Sequence, residues 1–214
     1  MLTVKDVLNE GRDDVRVLEE RPPFKVLEWN LTPPTSPEGA AQQFCIKGLD
    51  MHKHQLVCSL KNCQLRVKEG NVHWHGGEVN IDMKEGAVEV YTGTGTLFLR
   101  PTYQHIILEE LALWESGLSA WKDSFLSCDA GAHYSENGDD SKILTVSTIG
   151  HIALLSPVSR RELVTIELDD DTVVIDNSQA VCWSAGLALT TETHGVGSRC
   201  TYRGTGRILM TNGV

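Results

Sequence analysis

Basic side chains are scarce in this chain of 214 residues: 19 Lys and Arg stand against 29 Asp and Glu, giving a net charge of −10. Nucleic acid and anionic membranes both require a basic face, so this balance argues against either partner. No run of Lys and Arg supplies a local basic patch. Long apolar runs are missing as well. No stretch of ~18 consecutive apolar residues occurs, so no segment reads as a spanning helix and no membrane insertion is expected. The opening MLTVKDVLNEGRDDVRVLEERPP lacks the apolar core of a secretory signal and is too acidic for a transit peptide. The six cysteines, at 45, 58, 63, 128, 182 and 200, form no CxxC pair and fit no zinc spacing. They read as free thiols of a reducing, cytoplasmic compartment.

Proline is sparse except in one place. Five of the seven prolines fall in RPPFKVLEWNLTPPTSPEG. Residues 1–41 therefore read as an N-terminal extension with a Pro-rich connector. Val4, Val7, Leu8, Val15 and Leu18 suggest a short helix over residues 1–21, interrupted by Gly11. Phe24–Trp29 suggests one short strand, and the Pro-rich part that follows suggests a surface loop. From Gln42 onward the pattern changes. Short apolar or alternating runs such as QLRVKEG, GEVNIDMKEG, KILTVSTIGHIALL and LVTIELDDDTVVID are separated by Gly, Asp and Asn. These read as strands joined by tight turns, so residues 42–214 are expected to form a single all-β domain. ELDDD at Glu167–Asp171 is expected to be a solvated turn, and HYSENGDDSK a polar loop.

Glycine recurs with a period. Gly95, Gly150 and Gly206 share a setting: Tyr91, Val146 or Tyr202 lies four residues before, and apolar residues lie two and four after. The separations are 55 and 56 residues. Gly76, Gly131 and Gly186 repeat at 55. Two landmarks at one spacing predict three similar β-units of about 55 residues. Alignment on the second set places His73 beside Cys128 and Trp183, and His75 beside Ala130 and Ala185. The other copies thus carry mostly non-ligand residues where the first carries imidazoles.

Those imidazoles pose the main functional question. Residues two apart in a strand share a face, so His73 and His75 could reach one ion, with Glu78 brought round by a Gly-Gly turn. HxH followed by Glu is similar to half of the cupin metal signature, but only two residues separate the second His from the Glu. No later half with a third histidine follows. DMHKHQ offers a second HxH without a visible partner, and nothing around His105 or His151 marks them as ligands. The favoured reading is therefore no metal, no cofactor and no catalytic residue, with His73, His75 and Glu78 as the metal candidates of a runner-up reading. TGTGT has no following GK[ST] to cradle phosphate.

GNVHWHGGEVNIDM, GTGTLFL, DSFLSCDAG, the long run STIGHIALLSPVSRRELVTIELDDDTVVIDNSQAVCWSAGLAL and the closing YRGTGRILM resemble the altered-inheritance-of-mitochondria protein twenty-four family. The resemblance covers residues 42–210. It implies a double-stranded β-helix, or β-prism, related to the trp RNA-binding attenuation protein and built from three similar β-units. It implies no catalytic residue. The Pro-rich extension falls outside it. Kinship with an RNA-binding fold does not imply RNA binding here, because the charge opposes it and fold does not fix function.

These readings converge on a non-catalytic structural or interaction module. The alternative is a cupin-like metal-dependent enzyme or small-ligand binder at His73, His75 and Glu78. Strand edges and the apolar residues of ALWESGLSAW (Leu113, Trp114, Leu118, Trp121) predict a homo-oligomer, dimer or trimer, with Trp114 or Trp121 at or near the contact.

Overall fold

The structure is a computed structural model that describes residues 14–30, 36–49, 51–85, 88–114, 116–129, 134–136, 143–146, 149–194 and 197–212. The protein is all-β. Fifteen strands and one α-helix, α1, form among these residues. The chain divides into two compact units, residues 1–106 and 107–214. The boundary falls within β6 (His105–Glu110).

The first unit contains β1 (Val15–Arg21), β2 (Phe24–Trp29), α1 (Pro37–Gly48), β3 (Lys53–Lys68), β4 (Val72–Glu85) and β5 (Val88–Leu99). Its strands lie side by side in the order β1, β2, β3, β5, β4, every pair antiparallel. Leu27, Leu56, Leu65, Leu97 and Phe98 are among its buried side chains. The strand expected at Phe24–Trp29 is present with those bounds. The helix expected up to residue 21 is not, where it can be seen: Val15–Arg21 is a strand, and residues 1–13 lie outside the described residues. Val15 pairs across from Trp29 and Val17 from Leu27, so this segment gains a β partner through the Pro22–Pro23 reversal. β1 joins β2 and β2 joins β3, so residue 41 does not separate them from the sheet that follows.

α1 replaces the tail of the expected loop. Ser36 Oγ accepts the Gly39 N–H at 3.1 Å, Pro37 stands in the first turn with Glu38, and Lys47 lies in the last. These are ordinary start and stop signals, with the acid and base placed to suit the helix dipole. The helix buries none of its residues.

The second unit contains β7 (Leu118–Trp121), β8 (Phe125–Asp129), β9 (Tyr134–Glu136), β10 (Ile143–Val146), β11 (His151–Ser156), β12 (Leu163–Asp176), β13 (Ala180–Ser184), β14 (Ala188–His194) and β15 (Gly197–Thr211). One sheet runs β12, β15, β13, β7, β10, β9, with β14 also on β15. β8 pairs with β11. Leu168, Trp183, Cys200, Tyr202 and Ile208 form the buried core against this sheet. Most of HYSENGDDSK lies outside the described residues, although Tyr134–Glu136 is a strand.

Three strand pairs share a register. Val72, Trp74 and His75 face Leu99, Phe98 and Leu97. Phe125, Ser127 and Cys128 face Leu154, Ala153 and Ile152. Ala180, Cys182 and Trp183 face Met210, Leu209 and Ile208. The register shifts at the same step in all three. Gly95, Gly150 and Gly206 then occupy matching places. A Cβ on Gly95 would strike the Gly76 carbonyl oxygen, one on Gly150 the Asp129 carboxylate, and one on Gly206 the Ser184 side chain at 2.7 Å. In the last two pairs the side chain also caps the strand: His151 N–H donates to Asp129 Oδ2 at 2.8 Å, and Arg207 N–H to Ser184 Oγ at 2.9 Å.

The other glycine set does not match in this way. The register sets Gly76 level with Asp129 and Ser184, two residues away from the sequence alignment, and Gly131 lies outside the described residues. His75, rather than His73, therefore stands level with Cys128 and Trp183. The Gly76 carbonyl oxygen occupies the space that Gly95 leaves open, whereas the Gly186 N–H donates to Ser116 Oγ at 3.1 Å. The same residue type recurs for different local reasons.

The two long ribbons agree as well. Leu60 faces Gly95 and Leu65 faces Tyr91 on β3 and β5, while Leu168 faces Gly206 and Val173 faces Tyr202 on β12 and β15. Between these points each ribbon bulges at a residue with positive φ, Asn62 at 52° and Asp170 at 50°. Asn and Asp tolerate that conformation better than other side-chain-bearing residues. ELDDD is thus a mid-strand bulge, not a turn, with the Asp170 N–H donating to Thr205 Oγ1 at 3.0 Å.

Candidate functional site

His73, His75 and Glu78 all lie on β4 and none is buried. The Gly-Gly turn that would have gathered them does not form. Gly76 and Gly77 lie mid-strand, across from Thr96 and Gly95. From His75 to Glu78 the register is unbroken, so their side chains leave opposite faces. His73 is the extra residue of a bulge between Val72 and Trp74, which breaks the alternation that the metal reading required. Trp74 instead stacks on Phe98, ring centroids 3.8 Å apart and planes 11° from parallel. Among the described residues, no group of three or more His, Cys, Asp or Glu side chains could hold a metal ion.

The second HxH, at His52 and His54, proves to be the better supplied. β2 and β3 set His54 directly across from Glu28, and β1 sets Arg16 directly across from Glu28. Three polar side chains thus form one row over three strands, the arrangement through which cross-strand pairs stabilise a sheet. Arg16 Nη2 lies 2.9 Å from Glu28 Oε1, and His54 Nε2 lies 3.7 Å from Glu28 Oε2. His54 Nδ1 is 3.0 Å from the Gln104 carbonyl oxygen. A carbonyl only accepts, so Nδ1 carries the proton and Nε2 turns its lone pair toward the carboxylate side. The His105 ring packs on His54 with centroids 4.8 Å apart. Beside them Gln55 donates to the Leu99 carbonyl at 2.7 Å and accepts from Trp29 Nε1 at 3.0 Å.

The His54 side chain is 2% exposed. Burial lowers its pKa from the ordinary histidine range, and the neighbouring His105 lowers it further. A sealed, neutral imidazole can order the strands around it, but no substrate reaches it. Its pH effect has a definite sign. A depressed histidine pKa means that the unfolded chain binds the proton more readily. The stabilisation is complete above the unfolded pKa of about 6.5 and is lost as pH falls below it toward the lower folded value. Urea unfolding at pH 7.5 and pH 5 is expected to show a smaller pH-dependent loss for His54→Gln than for the wild type. Equal losses would remove His54 from this role.

In the second unit, Arg160 Nε pairs with the buried Glu109 carboxylate at 3.0 Å. Burial pushes the nearby Cys182 thiol well above its usual pKa, and Glu109 adds to the effect. Such a thiol is a poor nucleophile. All six cysteines are free, and Cys45 stands exposed on α1. A cleft of about 330 Å³ in the first unit is lined by Pro22, Pro23, Phe24, Val57, Lys61 and Cys63, and no histidine is among the described residues that line it.

The apolar group in ALWESGLSAW is mostly core. Trp114 is 3% exposed, Leu118 is buried, and Trp121 packs against Trp183 at 4.9 Å. The 3₁₀ turn Leu111–Leu113 leaves only Leu113 of the four well exposed. Trp114 is therefore enclosed and Trp121 is half-buried, because this segment finishes the fold of its own unit.

The family model for mitochondrial biogenesis AIM24 matches residues 49–212. Among solved structures, the crystal structure of protein SPYM3_0169 from Streptococcus pyogenes is similar, with a TM-score of 0.62 and 20% identity over 76% of this chain and 88% of that one. At that identity the likeness speaks for the fold. No curated protein matches. No helix among the described residues is long and apolar enough to cross a membrane. Matched by its model over most of its length, the chain belongs to the mitochondrial biogenesis AIM24 family.

Proposed function

We propose that this protein is a non-catalytic, cytoplasmic interaction module that acts as a homo-oligomer, a dimer or trimer. We read its β-structure as three related units in a double-stranded β-helix arrangement. The shared register of the three strand pairs, with Gly95, Gly150 and Gly206 at matching steps, supports the repeat.

The observation that carries the interaction reading is a contrast in exposure. The imidazole–carboxylate row at His54 is sealed, while Phe44 (80% exposed), Leu49, Ile81, Ile149 and Val174 face solvent. Apolar side chains that gather into one exposed patch mark contact surfaces, and these five are the positions at which this reading places the contacts. Light scattering coupled to gel filtration is expected to give a mass above that of the 23.6 kDa chain at tens of micromolar. A single species of monomer mass across a dilution series would overturn the assembly. Elemental analysis of untagged protein is expected to find well below one transition metal per chain. Stoichiometric metal, lost in a His73→Ala, His75→Ala double variant, would install the metal-dependent reading instead.

A further inference from the structure

We infer that the cleft beside the Pro22–Pro23 turn is a binding site for a small organic acid, a carboxylate that carries an apolar body. The cleft exists because two neighbouring strands differ in length. β3 has 16 residues and β2 has 6. β2 begins at Phe24, across from Cys58, so the next residues of β3 run on past it. The Ser59 N–H donates to the Pro23 carbonyl oxygen at 2.8 Å and ties the turn to β3 at that point. A hollow of about 330 Å³ is left between the turn and Lys61 and Cys63. Ligand sites span about 300–1,000 Å³, so this one suits a small molecule.

Its lining sorts by polarity. Pro22, Pro23, Phe24 and Val57 supply an apolar wall. Ser59 and Lys61 follow Val57 at two-residue steps on β3, and Thr96 of β5 pairs with Ser59. These side chains therefore leave the same face of the sheet as Val57. All three line the cleft. Among the described residues, the Ser59 and Thr96 hydroxyls have no hydrogen-bond partner and the Lys61 ammonium has no ion pair. Polar groups that converge without partners beside an apolar wall are what fixes a ligand in a site of this kind.

The charges set the sign of the ligand. Lys25 also lines the cleft, but Glu20 lies 3.1 Å from its ammonium and neutralises it. Glu78 stands in the same cross-strand row as Lys61, beyond Thr94, and forms no ion pair with it. Two strand spacings, about 10 Å, separate their backbones. Lys61 is thus the unmatched charge. The second unit builds the corresponding place the opposite way. By register, Lys61, Asn62 and Cys63 match Asp169, Asp170 and Asp171, while Ser59 and Thr96 match Glu167 and Arg207. There the cation has a carboxylate of its own chain at 3.9 Å. In the first unit the cation stands beside two hydroxyls, and a carboxylate from outside completes the set.

Cys63 reports on occupancy, because its half-buried thiol lines the cleft, and Cys45, exposed on α1, is the control. Alkylation by iodoacetamide, followed at both thiols by mass spectrometry, is expected to slow about threefold or more at Cys63 in saturating hexanoate and to stay unchanged at Cys45. Acetate lacks the apolar body and hexylammonium reverses the charge, so both are expected to protect less. Amide NMR spectra during the hexanoate titration are expected to shift at Ser59, Lys61, Cys63 and Thr96 and to hold still along β14. Lys61→Gln, an exposed substitution, is expected to weaken hexanoate binding about fivefold, as loss of an exposed charge pair does. If that variant fails to fold, as judged by circular dichroism, the wild-type titrations decide alone. Spectra that hexanoate leaves unchanged would overturn the site. Equal affinity for hexylammonium, or a Lys61→Gln variant that binds hexanoate as the wild type does, would overturn its preference for an acid.

Discussion

Trp183→Ala is expected to destabilise the protein by about 3–5 kcal/mol, the range for removing a buried tryptophan side chain. Trp183 is fully enclosed at the centre of the second unit's core. Trp121 tilts against one part of its ring at 4.9 Å, and Tyr202 meets it edge-on at 5.4 Å. Pairs of this geometry add to what area burial alone supplies. The void left by alanine could not close easily, because β15 on one edge and β7 on the other hold β13 in place. Trp183→Phe keeps one ring in the cluster and is expected to lose less, about 1–3 kcal/mol. Urea unfolding followed by circular dichroism separates the two. Equal midpoints for Trp183→Ala and the wild type would mean that the aromatic cluster does not hold this unit together.

Gly95→Val is expected to cost about 3 kcal/mol or more, as overpacking against rigid neighbours does. Gly95 lacks a positive φ, so the penalty is one of space. Its Cβ would meet the Gly76 carbonyl oxygen, and Val79 Cγ2 at 2.6 Å. The first of these is backbone in the facing strand, which cannot swing aside without parting β4 from β5. Gly48→Ala provides the control. Nothing lies within 4 Å of a Cβ there, and the position is the last of α1. Alanine in a helix is favoured over glycine, so that change is expected to be neutral or to stabilise by up to about 1 kcal/mol. A Gly95→Val protein with wild-type stability would show that β4 and β5 are not held as closely as described.

Strand content was legible because alternation of apolar and polar residues is a local signal. Phe24–Trp29 reads as a strand from its composition and is one. What alternation does not report is which strand lies next door. His54 had no visible partner in DMHKHQ because its partners, Glu28 and His105, come from other strands, 26 and 51 residues away. The row with Arg16 exists only once two registers, β1 with β2 and β2 with β3, are fixed. The Gly-Gly pair illustrates a second limit. Glycine marks either a turn or a close approach, and only the presence of Gly95 opposite decides for the latter. The acidic ELDDD fails for a related reason. A polar run within a long ribbon can be carried by a bulge when its partner strand continues past it. α1 was legible in principle from Ser36, Pro37 and Glu38, but the surrounding prolines pointed to a loop. The tryptophans were read as displayed because their segment is short and irregular, although a single 3₁₀ turn was enough to fold Trp114 inward.

The strand β15 has a consequence for how the protein is made. It pairs with β12, β13 and β14, all of which precede it in the chain. Its turn with β14 is local, His194 facing Gly197, but its far end faces Leu163 from Thr211. A ribosome adding about 5–20 residues per second needs on the order of 2–10 s to move from one of these to the other. Throughout that interval β12 has been synthesised without its principal partner. The second unit therefore passes through a period on the ribosome in which a 14-residue strand waits unpaired. During that wait it is exposed to mispairing with neighbouring chains, and a chaperone that binds nascent extended segments would find β12 available.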